Sequence, residues 1–369
     1  MKKQYPYKSI LGIFLLIYIG TLIFIDMATA DKVFSEAENR RLEQAPKLST
    51  AQIMDGMFVT KYEKYISDQF PFRDFWISVK STTEKALGRK ENNGIYLSKD
   101  GYLIEKFEKP TEEKIKSKAE EINTLIANIP NIRKYYMLVP TSVKILEDKL
   151  PIYAPNGDEL VYINKVMSSI DDNINFVHVY DTLYSNKEEY IYYRTDHHWT
   201  TKGAYLSYQK LMETMGIVPH DEEYFNIEKV TESFYGSLYS KSGFRKVKPD
   251  SIELYIPKKD EKLKVEYVDE GKILDSIYHM ENLNKKDKYT VFLGGNYPLI
   301  KVSSKVDSDE KLLILKDSYA NSLIPFLTGH FSEIYIVDPR YYDKDIEILI
   351  KENNIDNLLI LYNVKTFFE

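Results

Sequence analysis

No cysteine occurs in the chain. Disulfides, thiolate metal sites, iron–sulfur clusters and a Cys nucleophile are excluded together, so covalent chemistry falls to Ser, Thr, Lys or a carboxylate. A basic excess is lacking too. Fifty Lys plus Arg against 56 Asp plus Glu leave a formal net charge of −6, without the positive footprint that neutralises phosphates, which argues against a nucleic-acid partner. Histidine is scarce at six residues and tryptophan scarcer at two. What is present is ordinary for a folded chain: 43% hydrophobic and 29% charged residues exclude collagen, mucin-like stalks and wholesale disorder. At roughly 150 residues per domain, 369 residues correspond to two compact units or one large, embellished α/β unit. The 31 tyrosines admit two readings, sugar-stacking surfaces or simple compositional bias, and the second is the simpler.

Lys2, Lys3 and Lys8 precede an uncharged, mostly apolar run from Ser9 to Ile25, closed by Asp26 and followed by Asp31. As a helix the run spans roughly 25 Å, extendable through Met27 and Ala30 toward the roughly 30 Å of a hydrocarbon core. Residues 1–30 therefore read as an export segment with its N-terminus inside and the bulk of the chain extracytoplasmic. Ala28-Thr29-Ala30 has the small-x-small form of a peptidase site. Two fates follow: a single uncleaved membrane anchor, or secretion after signal cleavage.

The polar stretch 31–49 reads as a tether, and 50–92 as a helical region with helices near 50–66 and 72–87, Pro71 starting the second. Ile95–Leu97 and Tyr102–Ile104 flank Ser98-Lys99-Asp100-Gly101, a hairpin turn. Thr111, with Glu112 and Glu113 behind it, starts a helix reaching about Ile129. Beyond it the text alternates. Strands are expected at 134–139, 176–179, 312–315, 333–337 and 358–361, with helices near 160–170, 200–215, 319–327 and 343–352. Such alternation predicts an α/β fold over 93–369, a mostly parallel sheet flanked by helices that binds ligands beyond the strands' carboxyl ends. Residues 217–310 look like an inserted β-rich segment or cap.

Two segments carry candidate chemistry. The first is Leu312-Leu313-Ile314-Leu315 running into Lys316-Asp317-Ser318-Tyr319, a buried strand whose carboxyl end presents the Ser318 hydroxyl beside the amides of a starting helix. Ser318 or Asp317 as an ordinary helix cap is the competing structural explanation. The second is Arg194-Thr195-Asp196-His197-His198-Trp199. A serine nucleophile needs an imidazole to take its proton and a carboxylate to fix that imidazole's tautomer. In an extended segment, Asp196 and His198 emerge on one side and His197 on the other, which favours His198 as the base. Trp199 either walls the pocket or fills the core. The paired histidines also allow a helix cap or a metal site.

These two motifs, with Phe34-Ser35-Glu36-x-Glu38-Asn39-Arg40, Asp68-x-Phe70-Pro71-Phe72-Arg73, Asn93-Gly94-Ile95-Tyr96-Leu97, Phe234-Tyr235-Gly236-Ser237-Leu238-Tyr239 and Val337-Asp338-Pro339-Arg340, resemble the DHHW family of exported bacterial proteins. That family is similar to the catalytic domains of alginate O-acetyltransferases and so to SGNH-type hydrolases. The resemblance implies an SGNH-hydrolase-like fold and a Ser-His-Asp triad carried by Ser318, His198 and Asp196. The blocks stand in inverted order relative to SGNH hydrolases, and the serine block reads Lys-Asp-Ser. Gly294-Gly295-Asn296 supplies either an oxyanion amide and carboxamide or a turn. Arg340 either steadies an oxyanion or sugar or pairs with Asp338, and Lys316 either lends positive charge to the oxyanion or is solvated.

The expected function is an extracytoplasmic serine O-acyltransferase or esterase, on O-acetyl groups of a cell-surface or secreted polysaccharide, needing no nucleotide, metal or other cofactor. The family relationship implies an acyl donor delivered by a multispanning membrane O-acyltransferase partner. One alternative is a non-catalytic carbohydrate-binding or assembly protein of a cell-envelope polysaccharide system. Another is a metal phosphoesterase built on Asp196-His197-His198, which His178, His220, His279 and His330 do not support with further ligand patterns.

Overall fold

A computed structural model describes residues 7–35, 40–48, 54–129, 132–171 and 173–369. Lys2 and Lys3 of the basic flank, Glu36, Glu38 and Asn39 of the family-like motif, Thr50 at the expected helix start and Pro130 lie outside the described residues. The described chain separates into two compact units, one reaching to Arg89 with Gly243–Arg245, the other comprising Lys90–Ser242 and Lys246–Glu369.

In the first unit a helix runs from Tyr7 to Ala28, mostly apolar, with Lys8 and Asp26 near its two ends and with no residue buried. Its 22 residues span roughly 33 Å, long and apolar enough to cross a membrane. Two further helices follow, Met57–Gln69 and Arg73–Ala86. Where a tether is expected, the described residues are fastened instead: the Glu43 amide donates to buried Asp68 (2.8 Å), and Gln69 donates to the Lys32 and Glu43 carbonyls (3.0 and 2.9 Å).

The second unit is built on an eight-stranded sheet. Its strands, in chain order, are β1 (Arg133–Val139), β2 (Asn175–Phe176), β3 (Lys264–Tyr267), β4 (Lys272–Leu274), β5 (Leu299–Ser303), β6 (Lys311–Lys316), β7 (Glu333–Val337) and β8 (Asn357–Asn363). Across the sheet they lie in the order β4-β3-β5-β7-β6-β8-β1-β2. The five strands from β7 to β2 pair in parallel, and β5, β3 and β4 extend the sheet antiparallel. Leu312–Leu315 and Leu358–Leu361 are buried throughout, as continuous apolar runs covered on both faces must be. Many tyrosines sit in this core, among them Tyr136, Tyr192, Tyr208 and Tyr319, each nearly inaccessible.

Helices cover the sheet with recognisable local causes. Glu112–Asn128 begins where the Thr111 hydroxyl accepts from the Lys114 amide, and it buries Ile115, Ala119, Ile122 and Ile126 along one stripe. Thr201–Met215 is capped by Thr200 and closed by left-handed Gly216 (φ 72°). Its Gly203 lies against the Ile191 carbonyl, so close that a Cβ there would sit 2.4 Å from that oxygen.

Three expectations are revised. The segment 217–310 is not a separate cap, since β3, β4 and β5 belong to the central sheet; only Phe225–Phe234 and Asp250–Pro257 form a ribbon of their own. The expected helix at 319–327 is a pair of 3-10 turns, Ser318–Ser322 and Ile324–Phe326, because Pro325 has no N–H and would clash with the carbonyl four residues back in an α-helix. The strand expected at 176–179 stops at Phe176.

Candidate functional site

The parallel strands all deliver their carboxyl ends to one side of the sheet, and β6 delivers Asp317 and Ser318 there. Buried Asp317 caps the following turn through the Tyr319 amide (2.8 Å) and accepts from the Asn363 amide (2.8 Å) and carboxamide (2.6 Å) at the end of β8. Burial pushes its carboxyl up to about 6 against these donors. Ser318, half-buried, opens the turn, where its N–H has no acceptor within the turn itself. The turn is held from behind: the Trp199 indole donates to Tyr319 O and Ser322 Oγ (both 3.0 Å), and the Tyr289 hydroxyl to Ser318 O (3.1 Å). Trp199 is wholly buried and so fills the core.

Asp196-His197-His198 lies in a run of bends between Tyr192 and Trp199, which bridge to each other. Buried Asp250 clamps the entry to this run. It accepts from the Arg194 and Thr195 amides (2.8 Å each), the Thr195 hydroxyl (2.5 Å) and the Tyr190 hydroxyl. Asp196 Oδ1 then takes the His198 amide (3.1 Å) and His198 Nδ1 (2.5 Å), while Oδ2 takes the Ser237 amide (2.8 Å). The other imidazole nitrogen, His198 Nε2, lies 2.8 Å from Ser318 Oγ. Tyr289 stacks flat on the His198 ring, with centroids 3.8 Å apart and planes within 10°. Three side chains from two distant segments thus form one hydrogen-bonded chain, Asp196–His198–Ser318.

The segment is not extended, and His197 does not point cleanly away. Its ring lies 3.8 Å from that of His198, and its Nδ1 bonds Ser237 Oγ at 2.7 Å. The Asp196, His197 and His198 donor atoms lie within 4.8 Å of one another, but those that converge are already committed to Ser237, to Ser318 and to each other. This set does not fit a metal ion unless those bonds are released.

Burial alone would raise the Asp196 carboxyl, but His197, His198 and the Ser237 amide outweigh it and hold the group well below the usual carboxylate range. Burial pushes the His198 imidazole down to about 4, and His197 adds to the shift against the pull of Asp196. At neutral pH the pair is therefore a carboxylate beside a neutral imidazole.

Lys316, fully buried and lowered by burial to about 8, donates to Asn296 Oδ1 (2.9 Å) and Asn321 Oδ1 (2.8 Å) rather than lying in solvent. Arg340 grips Asp338 with two bonds of 2.8 and 2.6 Å. Asn296 is exposed and reaches the site region through Lys316 and Asn321.

Sequence reasoning does not single out Asp250, Gly236, Ser237 or Tyr289 as site residues. A signal existed for Gly236 and Ser237, which stand in the Phe234–Tyr239 motif; none marks Asp250 or Tyr289. A Cβ on Gly236 would lie 2.3 Å from both Cβ and Oδ2 of Asp196. Gly236→Ala is therefore expected to displace the Asp196 carboxylate and slow any reaction of Ser318 by about a hundredfold, with secondary structure unchanged by circular dichroism. Wild-type reactivity in that variant would show that the close approach is not needed.

The DHHW protein family model matches residues 113–337, a span holding both site segments. The chain belongs to the DHHW family. Among solved structures it is similar to a DHHW family protein from Eubacterium siraeum, with a TM-score of 0.66 and 26% identity over 76% of this chain and 93% of that one. It is also similar to Bacillus cereus PatB1 bearing a sulfonyl adduct, with a TM-score of 0.64 and 23% identity over 74% of this chain and 95% of that one. The O-acetyltransferase domain of Pseudomonas putida AlgJ aligns at a TM-score of 0.44 and 15% identity, over 74% of this chain and 92% of that domain. No curated protein matches the sequence.

Proposed function

We propose that this DHHW protein is an extracytoplasmic, membrane-anchored serine O-acyltransferase or esterase with an SGNH-hydrolase-like catalytic unit, acting on O-acetyl groups of a cell-surface polysaccharide. The observation that carries the reading is the chain Asp196–His198–Ser318, with contacts of 2.5 and 2.8 Å. Ser318 Oγ attacks the acyl carbonyl as His198 Nε2 takes its proton, and Asp196 holds Nδ1–H so that Nε2 faces the serine. The Ser318 amide stabilises the developing oxyanion. Collapse expels the donor's oxygen, which takes the proton back from His198, and leaves an acyl-serine. A sugar hydroxyl or water then attacks the acyl carbonyl, giving its proton to His198, which passes it to Ser318 Oγ as the acyl–serine bond breaks and the hydroxyl is restored. A multispanning membrane O-acyltransferase supplies the acyl group across the membrane.

The test is intact mass after exposure of the protein to a sulfonyl fluoride, the reagent class suggested by the adduct on the PatB1 neighbour, and to p-nitrophenyl acetate. A stoichiometric adduct mapping to Ser318 is expected. Folded protein that forms none with either reagent would overturn the reading in favour of a carbohydrate-binding module.

The base must be neutral to act, so the pH profile follows from the His198 shift. Its value falls from 6.5 to about 4 on folding; the rate of Ser318 modification is therefore expected to hold from neutral pH down past 6.5 and to fall only below it. Between those two values the unfolded chain binds a proton that the folded chain refuses, so stability is also lost as pH drops through this window. Rates measured beside the circular dichroism signal separate the two effects. An acid limb centred at or above 6.5 contradicts the assignment.

A further inference from the structure

In the first unit, helices Met57–Gln69 and Arg73–Ala86 turn aromatic and aliphatic side chains outward. Phe72 is 63% exposed and Phe75 59%, with Tyr62, Ile66, Phe70 and Trp76 also open. Apolar stripes at helical spacing are ordinarily the buried face, and this patch exceeds the scattered exposure normal for a soluble surface. Phe72 holds the left-handed backbone conformation (φ 58°) that favours glycine, so an exposed aromatic is kept in an unfavourable geometry.

The patch is continuous with the end of the apolar N-terminal helix. Lys32, four residues beyond Ala28, exchanges hydrogen bonds with the Gln69 side chain, its amide donating to Oε1 (2.9 Å) and its carbonyl accepting from Nε2 (3.0 Å). Tyr65 reaches Asp31 (3.3 Å). Ile25 and Thr29 share a cleft of about 560 Å³ with Phe70 and Phe72. The aromatic turn is thus latched within a few residues of the point where the chain leaves the segment fit to cross a bilayer. Phe, Tyr and Trp at that level match the aromatic belt of a membrane–water interface.

We propose that these two helices lie on the bilayer that the Tyr7–Ala28 helix enters, with Phe70, Phe72, Phe75 and Trp76 seated among lipid headgroups and upper acyl chains. The proposal rests on that helix being retained as an anchor. Its consequence is a membrane-bound collar at the foot of the exported chain.

The chain's two tryptophans make the test direct, since Trp199 is wholly buried and Trp76 lies in the patch. Full-length protein is reconstituted into phosphatidylcholine–phosphatidylglycerol vesicles whose lipids carry bromine near the top of the acyl chains. Quenching of about half the emission, the share of one tryptophan of two, is expected, and it disappears in Trp76→Phe. Phe72→Ser combined with Phe75→Ser is expected to reduce it. Protein that floats with the vesicles but is quenched no more than Trp76→Phe overturns the proposal while leaving the anchor intact. A blue-shifted, unquenched Trp76 overturns it in favour of a protein surface or a second copy. Protein that does not float overturns the anchor, and the collar with it. None of these readouts depends on Ser318, so loss of the enzymatic reading leaves the collar standing.

Discussion

Ser318→Ala is expected to abolish the sulfonyl adduct and to lower hydrolysis of p-nitrophenyl acetate about ten-thousandfold or more, with the fold unchanged. A serine hydroxyl is a weak nucleophile until a base within hydrogen-bond reach removes its proton, and His198 Nε2 at 2.8 Å is that base. His198→Ala is expected to cost about as much, and the double variant little more, because groups that act as a unit lose their effects together. Asp196→Asn removes the charged acceptor that holds Nδ1–H, and a fall of about ten-thousandfold is expected there as well. Residual labelling at wild-type rate in Ser318→Ala would place the reactive group elsewhere. If that variant kept full cellular function, the protein would be a binder whose serine is structural.

Asp250→Ala is expected to destabilise the protein by about 3 kcal/mol or more, read as a lower urea midpoint, because each buried donor left unpaired carries a desolvation cost of about 1–3 kcal/mol. Asp250 satisfies two backbone amides and two hydroxyls at the start of the Asp196-His198 run. With the clamp gone the run loses its fixed entry, so the rate of Ser318 modification is expected to fall further than the stability loss alone explains. Asp250→Asn, which keeps one acceptor oxygen, is expected to lie between wild type and alanine. A midpoint shift within experimental error for Asp250→Ala would show that the clamp bears no weight.

The legible parts of the molecule are those that local pattern encodes. The largely apolar runs at 134–139, 312–315, 333–337 and 358–361 all form strands of the parallel part of the sheet, because a strand buried on both faces reads as a near-continuous apolar run. Caps at Thr111 and Thr200 and the closure at Gly216 fell where short-range hydrogen bonding puts them. Illegible were the antiparallel additions β3, β4 and β5, whose charged, short text carries no mark of the sheet edge they join. The 3-10 turns after Ser318 are legible in principle from Pro325, although the apolar pattern over 319–327 by itself predicts one helix. Within the site, Tyr289 is one of 31 tyrosines and nothing in its neighbours distinguishes it.

By itself the sequence determined the chemical menu and the elements: no thiol, an apolar N-terminal segment, parallel strands, an Asp-x-His run and a serine at a strand's carboxyl end. These follow from composition and from interactions between near neighbours in the chain. The tertiary structure alone decided that His198 and Ser318, 120 residues apart, would meet at 2.8 Å. It also decided that Asp250 would clamp the histidine run, that Gly236 would make room for the Asp196 carboxylate, and that Tyr289 would lie flat on the imidazole. Those contacts depend on how the sheet packs against its covering segments, and packing between distant residues leaves no trace in the spacing of either one.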